Sequence, residues 1–357
     1  MRTKLIMRKE KLLIFNISTD AKNTSLGFAI SWINKFSEHY LEVDVVTLHK
    51  GDLTGLNKNI RIYSEDFSSS SRLVKFIKIR KIIKNLIKKN DYKFCLSHMS
   101  ASLLLVSSTI IRFKNVKTLF WYTHKGPTTI FKKIVLYIAN TISDKIITAS
   151  ENSYPIKSKK VTTIGHAINY ELFYRNKINI EQNNFLIFSR ISKSKNIESS
   201  IQGFLNSTYG KSNKITIIGG PLTNDDEVYQ NSLKEKYMAY SNVQFLGPVP
   251  HAELNKHIDR AGFHINNTPI GFYDKSVLET MASGLINFYS NPDYDRNINQ
   301  NFLNYLKFDG SVEDLKDKIN LVSQLDTDKL IKIINNTQQK ASEESIETLH
   351  QRITSVI

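Results

Sequence analysis

Short apolar segments rich in β-branched residues alternate along most of the chain with longer segments whose apolar residues recur at helical spacing. The strands that this pattern predicts in the first half are Leu12–Ile17, Val43–Leu48, Phe94–Ser97, Val116–Trp121, Lys145–Ala149 and Val161–Ile164, with helices that include Phe28–Glu38, Arg72–Lys89 and Thr129–Asn140 between them. Such alternation is typical of parallel sheets whose strands are joined by crossover helices.

The second half repeats the pattern and then loses it after Tyr305. Its predicted strands are Phe185–Phe188, Ile215–Ile218, Val243–Leu246, Phe263–Asn266 and Leu285–Phe288, and its last helices are Val312–Ser323, Lys329–Gln338 and Ser345–Thr354. A chain of 357 residues exceeds what one core usually organises. We therefore predict an α/β protein of two doubly wound parallel-sheet domains facing a cleft, with ligands at the carboxyl ends of the strands. The predicted domains are residues 1–168 and 169–340, joined near residues 165–181, and a final helix in 341–357 is expected to pack back towards the first domain.

The positive charge is confined to the first half. The chain carries a net charge of +16, but residues 1–168 hold 29 Lys and Arg against 11 Asp and Glu, whereas the remainder holds 20 against 22. A basic half joined to a neutral half indicates that the first domain faces an anionic partner. Phospholipid head groups, a lipid-linked phosphate and nucleic acid are the candidates.

Neither the cysteine content nor the hydropathy indicates export. Cys95 is the only cysteine and lies in an apolar run, so we expect a buried small side chain in a reducing compartment. The apolar stretch after the basic start at residues 1–8 is too short for a signal peptide, and Ala101–Ile111 is too short to span a membrane. A cytoplasmic protein is the expectation.

Two second-half segments carry candidate anion-binding chemistry. Arg190 and Lys195 follow a predicted strand and precede a helix, where a guanidinium and an ammonium suit a diphosphate, although a solvated basic turn is the alternative. Asp274 is a predicted helix N-cap, and Glu279, one turn into that helix, is placed to accept two ribose hydroxyls or else simply faces solvent.

Four motifs in order resemble the C-terminal domain of family 4 glycosyltransferases of the GT-B fold. They are Arg190 with Lys195, the turn Ile218-Gly219-Gly220-Pro221, the segment Val243–Leu254, and the segment Leu278–Gly284. The resemblance extends back through Gly165–Phe173 to Gly27 in the first loop, and is weakest at residues 51–91.

The resemblance implies retaining transfer without a metal ion or cofactor, with a nucleotide-sugar donor of the UDP or GDP type held by the second domain. Arg190 and Lys195 would bind the diphosphate and Glu279 the ribose. The turn at Gly219 belongs to the same donor site, and the amides of Lys275, Ser276 and Val277 would bind the distal phosphate. Gly27 would let the first loop approach the phosphates. His124 falls where the family has a histidine near the transferred sugar, although capping a strand-end loop is the alternative.

The sequence departs from the family at one position. The family motif has two glutamates separated by seven residues, and Gly271 stands where the first is expected. Because Asp274-Lys275 follows, we interpret the chain as an active variant in which Asp274 or Lys275 contacts the sugar, or in which Asp274 only caps the helix.

Segment 72–89 interleaves aliphatic and basic residues and contains no acid. A basic amphipathic helix is attracted to an anionic leaflet, but its apolar side would also serve as ordinary core. The basic residues expected at a membrane or acceptor are Lys75, Lys78, Arg80, Lys81, Lys84, Lys88 and Lys89.

These observations favour a hexosyltransferase that acts on a lipid-linked saccharide in surface glycan assembly, such as O-antigen or capsule, at the inner face of the plasma membrane. A nucleotide-sugar epimerase or phosphorylase of the same fold and a non-enzymatic protein binding anions or nucleic acid are the alternatives. No zinc-ligand spacing or aromatic RNA platform favours the last, and nucleic acid is not an expected partner.

Overall fold

The computed structural model describes residues 10–23, 26–65, 71–126, 129–176, 183–250 and 253–357, without the side chain of Arg72. The basic start, residues 177–181 of the predicted connection, and His251 with Ala252 of the segment Val243–Leu254 therefore lie outside the described residues. The chain divides into two compact units. The first unit comprises Met1–Gly165 together with Ile346–Ile357, and the second comprises His166–Ser345.

The strands all pair in parallel. They are β1 Lys11–Thr19, β2 Glu42–Lys50, β3 Ile60–Tyr63, β4 Tyr92–His98, β5 Thr118–Trp121, β6 Lys145–Thr148, β7 Val161–Thr163, β8 Phe185–Phe188, β9 Ile215–Ile218, β10 Val243–Gly247, β11 Phe263–Asn266 and β12 Ile286–Tyr289. The first unit holds a seven-stranded sheet of order β3-β2-β1-β4-β5-β6-β7, and the second a five-stranded sheet of order β10-β9-β8-β11-β12. The predicted α/β class with two doubly wound sheets is confirmed.

Helices connect most of these strands, and further helices follow β12. They are α1 Ala29–Ser37, α2 Arg72–Lys89, α3 Ala101–Phe113, α4 Ile130–Ile142, α5 Tyr170–Phe173, α6 Ile197–Asn206, α7 Asn224–Tyr237, α8 Asn255–Ile258, α9 Lys275–Ala282, α10 Gln300–Leu306, α11 Val312–Val322, α12 Thr327–Glu343 and α13 Ile346–Thr354. No helix in the described ranges is long and apolar enough to cross a membrane.

The cores form where the sequence pattern placed them. The central strands are buried on both faces, as the run Leu12, Leu13, Ile14 and Phe15 in β1 shows. Cys95 is fully buried in β4, as expected for a small apolar side chain, and burial raises the pKa of its thiol. The sequence pattern missed β3, a short, half-buried edge strand interrupted by Arg61, because it carries little apolar signal.

The last helix returns to the first unit. His350 on α13 stacks on His39 and lies edge-on to Phe36, and Arg352 donates to the carbonyl of Ile164. Lys35 on α1 pairs with Glu347. The unit that begins with β1 is thus completed by the final twelve residues, Ile346–Ile357.

Candidate functional site

Three loops of the second unit meet at one edge of its sheet. Strands β9, β8 and β11 are neighbours, so the segments that follow their carboxyl ends lie side by side. These segments carry Arg190 after β8, Gly219 after β9 and Asp274 before α9. The topology therefore brings these predicted donor residues together at the carboxyl edge of the second unit's sheet.

Gly219 lets the loop after β9 lie directly against the loop after β8. Its φ is +142°, and a Cβ on it would lie 1.8 Å from the carbonyl oxygen of Ser189. The neighbouring backbone bonds, from Ser189 N to Ile218 O at 3.1 Å and from Ile191 N to Gly220 O at 2.9 Å, hold the two loops together. Gly219 thus sets the path of the loop that presents Arg190, whose side chain is exposed.

Lys195 is buried beside a carboxylate that lies 79 residues further along the chain. Its ammonium lies 2.7 Å and 2.5 Å from the two carboxylate oxygens of Asp274 and 5.4 Å from the centre of the Phe272 ring. Asn266, the last residue of β11, donates to the same carboxylate at 3.2 Å. The ammonium is therefore held in a fixed position at the strand edge, which sequence spacing did not reveal.

Asp274 occupies the N-cap position of α9, but its side chain makes no capping hydrogen bond. The alternative in which Asp274 only caps the helix is therefore wrong, because its carboxylate is engaged by Lys195 and Asn266 instead. The side chain of Asp274 does not cap the first amides of α9, and the buried hydroxyl of Ser276 has no partner among the described residues. This hydroxyl and the start of α9 lie beside the ammonium that Asp274 holds, an arrangement that favours an anion.

Helix α9 is buried around its whole circumference. Val277, Leu278 and Met281 are fully buried, as the apolar stripe predicted, but Glu279 is also only 4% exposed. The alternative of a solvent-facing Glu279 is wrong, because neighbouring elements cover every side of this helix. Burial lowers the pKa of Lys275 to about 8, and the Glu279 charge four residues on opposes that shift.

A buried polar cluster fixes α9 against the sheet. Thr280 donates to Asn287 Oδ1 at 2.6 Å and lies 3.2 Å from His264 Nδ1, which is itself 2.9 Å from Asn287 Oδ1. His264 Nε2 is buried without a partner among the described residues. The cluster sets the position of α9, and with it the position of Glu279.

We expect His264 to make the fold sensitive to acid. Burial lowers its pKa from 6.5 to about 4, so between these values the unfolded chain takes up a proton that the folded chain refuses. The free energy of unfolding should therefore fall by about 3 kcal/mol for this group as the pH drops through that window. Urea titrations at pH 7 and pH 4.5 should show a smaller loss in His264→Gln than in the wild type. Equal losses in the two proteins would contradict this assignment.

Gly271, in place of the first motif glutamate, adopts a left-handed backbone with φ of +88°. Its amide donates to the buried carboxylate of Asp293 at 3.0 Å. A glutamate at this position would need a backbone conformation that L-residues rarely adopt. The carboxylate that contacts residue 271 therefore belongs to Asp293, which no sequence motif indicated.

A second buried network, also missed, supports the loop before α9. Glu344 accepts from the backbone amide of His166 at 2.6 Å and from the Tyr273 hydroxyl at 2.7 Å, and it pairs with Arg296 at 2.5 Å. His166 Nε2 lies 2.5 Å from the carbonyl oxygen of Tyr273. Residues at both ends of the second unit therefore fix the residue that precedes Asp274.

The candidate residues of the first unit lie at the carboxyl edge of its own sheet. A Cβ on Gly27 would lie 2.6 Å from the carbonyl oxygen of Asn23, so the fold of its own loop already requires glycine there. His124 follows β5, is exposed, and lies edge-on to the Tyr122 ring at 6.3 Å between centres.

The apolar residues of α2 are exposed before Ile79 and mostly buried from Ile79 onward. Ile79, Ile83, Leu86 and Ile87 lie in the core, so the ordinary-core interpretation holds for this later part of the helix. Of the basic residues predicted to face a membrane, Lys81, Lys84, Lys88 and Lys89 are exposed. Lys78 lies 3.4 Å from Glu65. Arg80 binds the carbonyl of Val106 and the hydroxyl of Thr109 on α3, so its charge is directed into the protein.

Comparison with known proteins bears on the family and the fold. Residues 21–150 match the family model described as "Glycosyl transferase 4-like". No curated protein matches the chain at a significant level.

Several solved structures share the architecture over nearly the full length. HepE from Anabaena, crystallised with UDP and glucose, is 15% identical with a TM-score of 0.73, over 97% of this chain and 98% of its own. A glycosyltransferase from Rickettsia africae is 17% identical with a TM-score of 0.74, over 98% of each chain. Sucrose-phosphate synthase from Thermosynechococcus elongatus is 13% identical with a TM-score of 0.74, again over 98% of each chain. The resemblance to family 4 glycosyltransferases is thus confirmed by the family match within the first unit and, for the whole chain, at the level of the GT-B fold.

Proposed function

We propose that this protein is a retaining, metal-independent glycosyltransferase that moves a hexose from a UDP-type donor to a lipid-linked saccharide. The observation that carries the proposal is the arrangement at the carboxyl edge of the second unit's sheet, where Asp274 holds Lys195 beside the start of α9 and the unpartnered hydroxyl of Ser276. Because HepE was also crystallised with UDP-glucose, a uracil nucleotide is the first donor to test.

The donor diphosphate would bind to Lys195, Arg190 and the first amides of α9. Its negative charge grows as the bond from the sugar breaks, and cations already held in place stabilise that charge without rearranging. Glu279 would accept the ribose hydroxyls, and Ser276 offers a further donor to a phosphate. The contact of Lys195 with Asp274 keeps the ammonium in place before the donor arrives.

The transfer step proposed here takes place on one face of the sugar. The bond between the anomeric carbon and the diphosphate oxygen breaks, and the acceptor hydroxyl oxygen bonds to the same face of that carbon. The hydroxyl proton passes to the departing phosphate, so no carboxylate nucleophile is required. His124 and Gly27 remain the sequence-based candidates for contacts with the transferred sugar and the donor phosphates.

The acceptor assignment rests on the charge of the first unit. Exposed lysines along α2 and the excess of basic residues before residue 169 suit an anionic leaflet and a lipid-linked diphosphate. We therefore place the enzyme at the inner face of the plasma membrane, in the assembly of a surface glycan such as an O-antigen or a capsule.

A thermal-shift panel tests the donor site without an acceptor. A nucleotide that binds only the folded protein raises the melting temperature by mass action. We expect UDP to raise it more than GDP, ADP or CDP, and we expect the shift to disappear in Arg190→Ala and Glu279→Ala. If no nucleotide shifts a folded wild-type protein, a nucleotide-sugar transferase is the wrong function and an anion-binding role gains support.

A further inference from the structure

Large apolar side chains are exposed on the first two turns of α2 and α4. On α2, Leu73 is 68% and Ile77 57% exposed, and Val74 and Phe76 are also exposed. On α4, Ile130 is 77% and Phe131 71% exposed, followed by Ile134 and Tyr137. Soluble surfaces rarely gather apolar groups in this way, and such patches mark interaction sites.

The topology places these two sets of side chains at the same end of one face. Helices α2, α3 and α4 make crossovers that step in one direction across the sheet, so right-handed connections put all three on the same face. Helix α3 lies between the other two and packs against both. Because each helix starts at the carboxyl end of the preceding strand, the first turns of α2 and α4 lie at the edge that carries His124. We call the eight exposed apolar residues of these turns the apolar rim.

The charged residues of α2, α3 and α4 are all basic, since these helices contain no Asp or Glu. Lys132 and Lys133 are exposed beside Phe131, and Lys81 and Lys84 follow the exposed turns of α2. Glu65, which precedes α2 in the chain, pairs with Lys78.

We propose that the apolar rim inserts into the surface of an anionic phospholipid bilayer, with the surrounding lysines against the head groups. This inference deepens the membrane part of the proposed function and rests on it for the position of the acceptor. Exposed aliphatic and aromatic groups with exposed lysines next to them on the same helices match an interface that is apolar inside and anionic outside. A second copy of the chain does not offer that complement, because it would oppose one basic face to another.

Insertion differs from electrostatic attraction in its response to salt. Contacts between lysines and head groups weaken as ionic strength rises, whereas burial of apolar groups persists. An α2 helix that acted through charge alone would release the protein at high salt. Insertion of the rim predicts that a fraction of the protein stays on the vesicles.

Vesicle flotation of the full chain tests the proposal. The vesicles contain phosphatidylcholine alone or phosphatidylcholine with phosphatidylglycerol, at low and at high salt. The test variant is Phe131→Ser with Ile134→Ser, and the control is Val228→Ser with Met238→Ser, two residues that are 70% and 83% exposed on or just after α7 in the second unit. We expect the test variant to partition about tenfold less than the wild type onto the anionic vesicles at either salt concentration, and the control to behave as the wild type.

A tryptophan at the rim reports insertion directly. Trp32 and Trp121 are buried, so a tryptophan introduced by Phe131→Trp supplies the fluorescence that responds to lipid. We expect its emission to shift to shorter wavelength, and to be quenched by brominated acyl chains, when anionic vesicles are added.

The inference is overturned if the wild type does not bind anionic vesicles or if the test variant binds as well as the control. It is also overturned if Phe131→Trp emission is unchanged on bound vesicles, or if the rim substitutions abolish self-association or duplex nucleic-acid binding instead. UDP-induced thermal shifts of the same proteins keep the two proposals apart. Rim-dependent vesicle binding without a UDP shift would support the membrane surface and reject the transferase.

Discussion

Replacing Lys195 by alanine is expected to lower the rate of sugar transfer, measured as UDP release, by about 10²–10³-fold. The reason is that Lys195 is a buried cation fixed at the donor edge by Asp274, at 2.5 and 2.7 Å from its two oxygens. Loss of the ammonium removes the charge that stabilises the departing diphosphate. It also leaves the Asp274 carboxylate unneutralised beside that diphosphate.

Lys193 offers a matched control two residues away. It lies in the same short 3-10 turn, carries the same charge and is exposed. Lys193→Ala should therefore keep a rate close to that of the wild type, with circular dichroism confirming that both variants fold. A Lys195→Ala protein as active as Lys193→Ala would remove Lys195 from the reaction.

Replacing Gly219 by alanine is expected to destabilise the second unit by about 3 kcal/mol or more. The added Cβ would lie 1.8 Å from the carbonyl oxygen of Ser189, and the φ of +142° is one that L-residues rarely adopt. Because the clash is with backbone, a side-chain rotation does not relieve it. Urea unfolding monitored by circular dichroism measures the loss.

Gly220 provides the control for this substitution. A Cβ there would lie 3.4 Å from Cδ of Pro248, which is ordinary van der Waals contact. We expect Gly220→Ala to change the free energy of unfolding by less than about 1 kcal/mol. Equal stability of the two alanine variants would show that the loop after β9 accommodates a side chain, contrary to the structure.

Much of the fold was predictable because hydrophobic period and parallel-sheet topology are local signals. Strands β8, β9 and β11 have the predicted bounds, since each is a compact apolar run between polar loops. Helix α2 also has its predicted bounds, because Ser71 caps its start and its apolar residues recur at helical spacing. Strand β3 was not predicted, because it is not a compact apolar run between polar loops.

The sequence predicted that several candidate residues meet at one edge of the sheet, but it did not predict their contacts. Ligands of parallel sheets bind at the carboxyl ends of the strands, and this rule places Arg190, Gly219 and Asp274 at one edge of the sheet. Asn266, the last residue of a predicted strand, lies at the same edge. Pairing of Lys195 with Asp274 depends on two loops 79 residues apart meeting in space, which motif spacing does not encode. Burial of Glu279 likewise depends on elements that cover α9 from outside its own sequence.

The apolar rim could not be predicted from hydrophobic spacing alone. The sequence predicts that the apolar residues of α2 form one amphipathic stripe, but only those from Ile79 onward reach the core. The apolar residues before Ile79 are exposed, as are those on the first turns of α4, which the sequence predicted only as a helix. Hydrophobic spacing predicts which residues share a helix face, while the neighbouring elements decide whether that face is covered.

Retaining transfer from a UDP-hexose to a lipid is tested by incubating the purified protein with UDP-hexoses and a membrane lipid extract, with the products followed by proton NMR. We expect UDP release with one hexose donor, a sugar-modified lipid whose anomeric configuration matches that of the donor, and loss of both signals in Lys195→Ala. Inverted configuration in the product would contradict the retaining mechanism. Absence of UDP release from every UDP-hexose, with a folded protein and the extract present, would contradict transfer from a UDP donor.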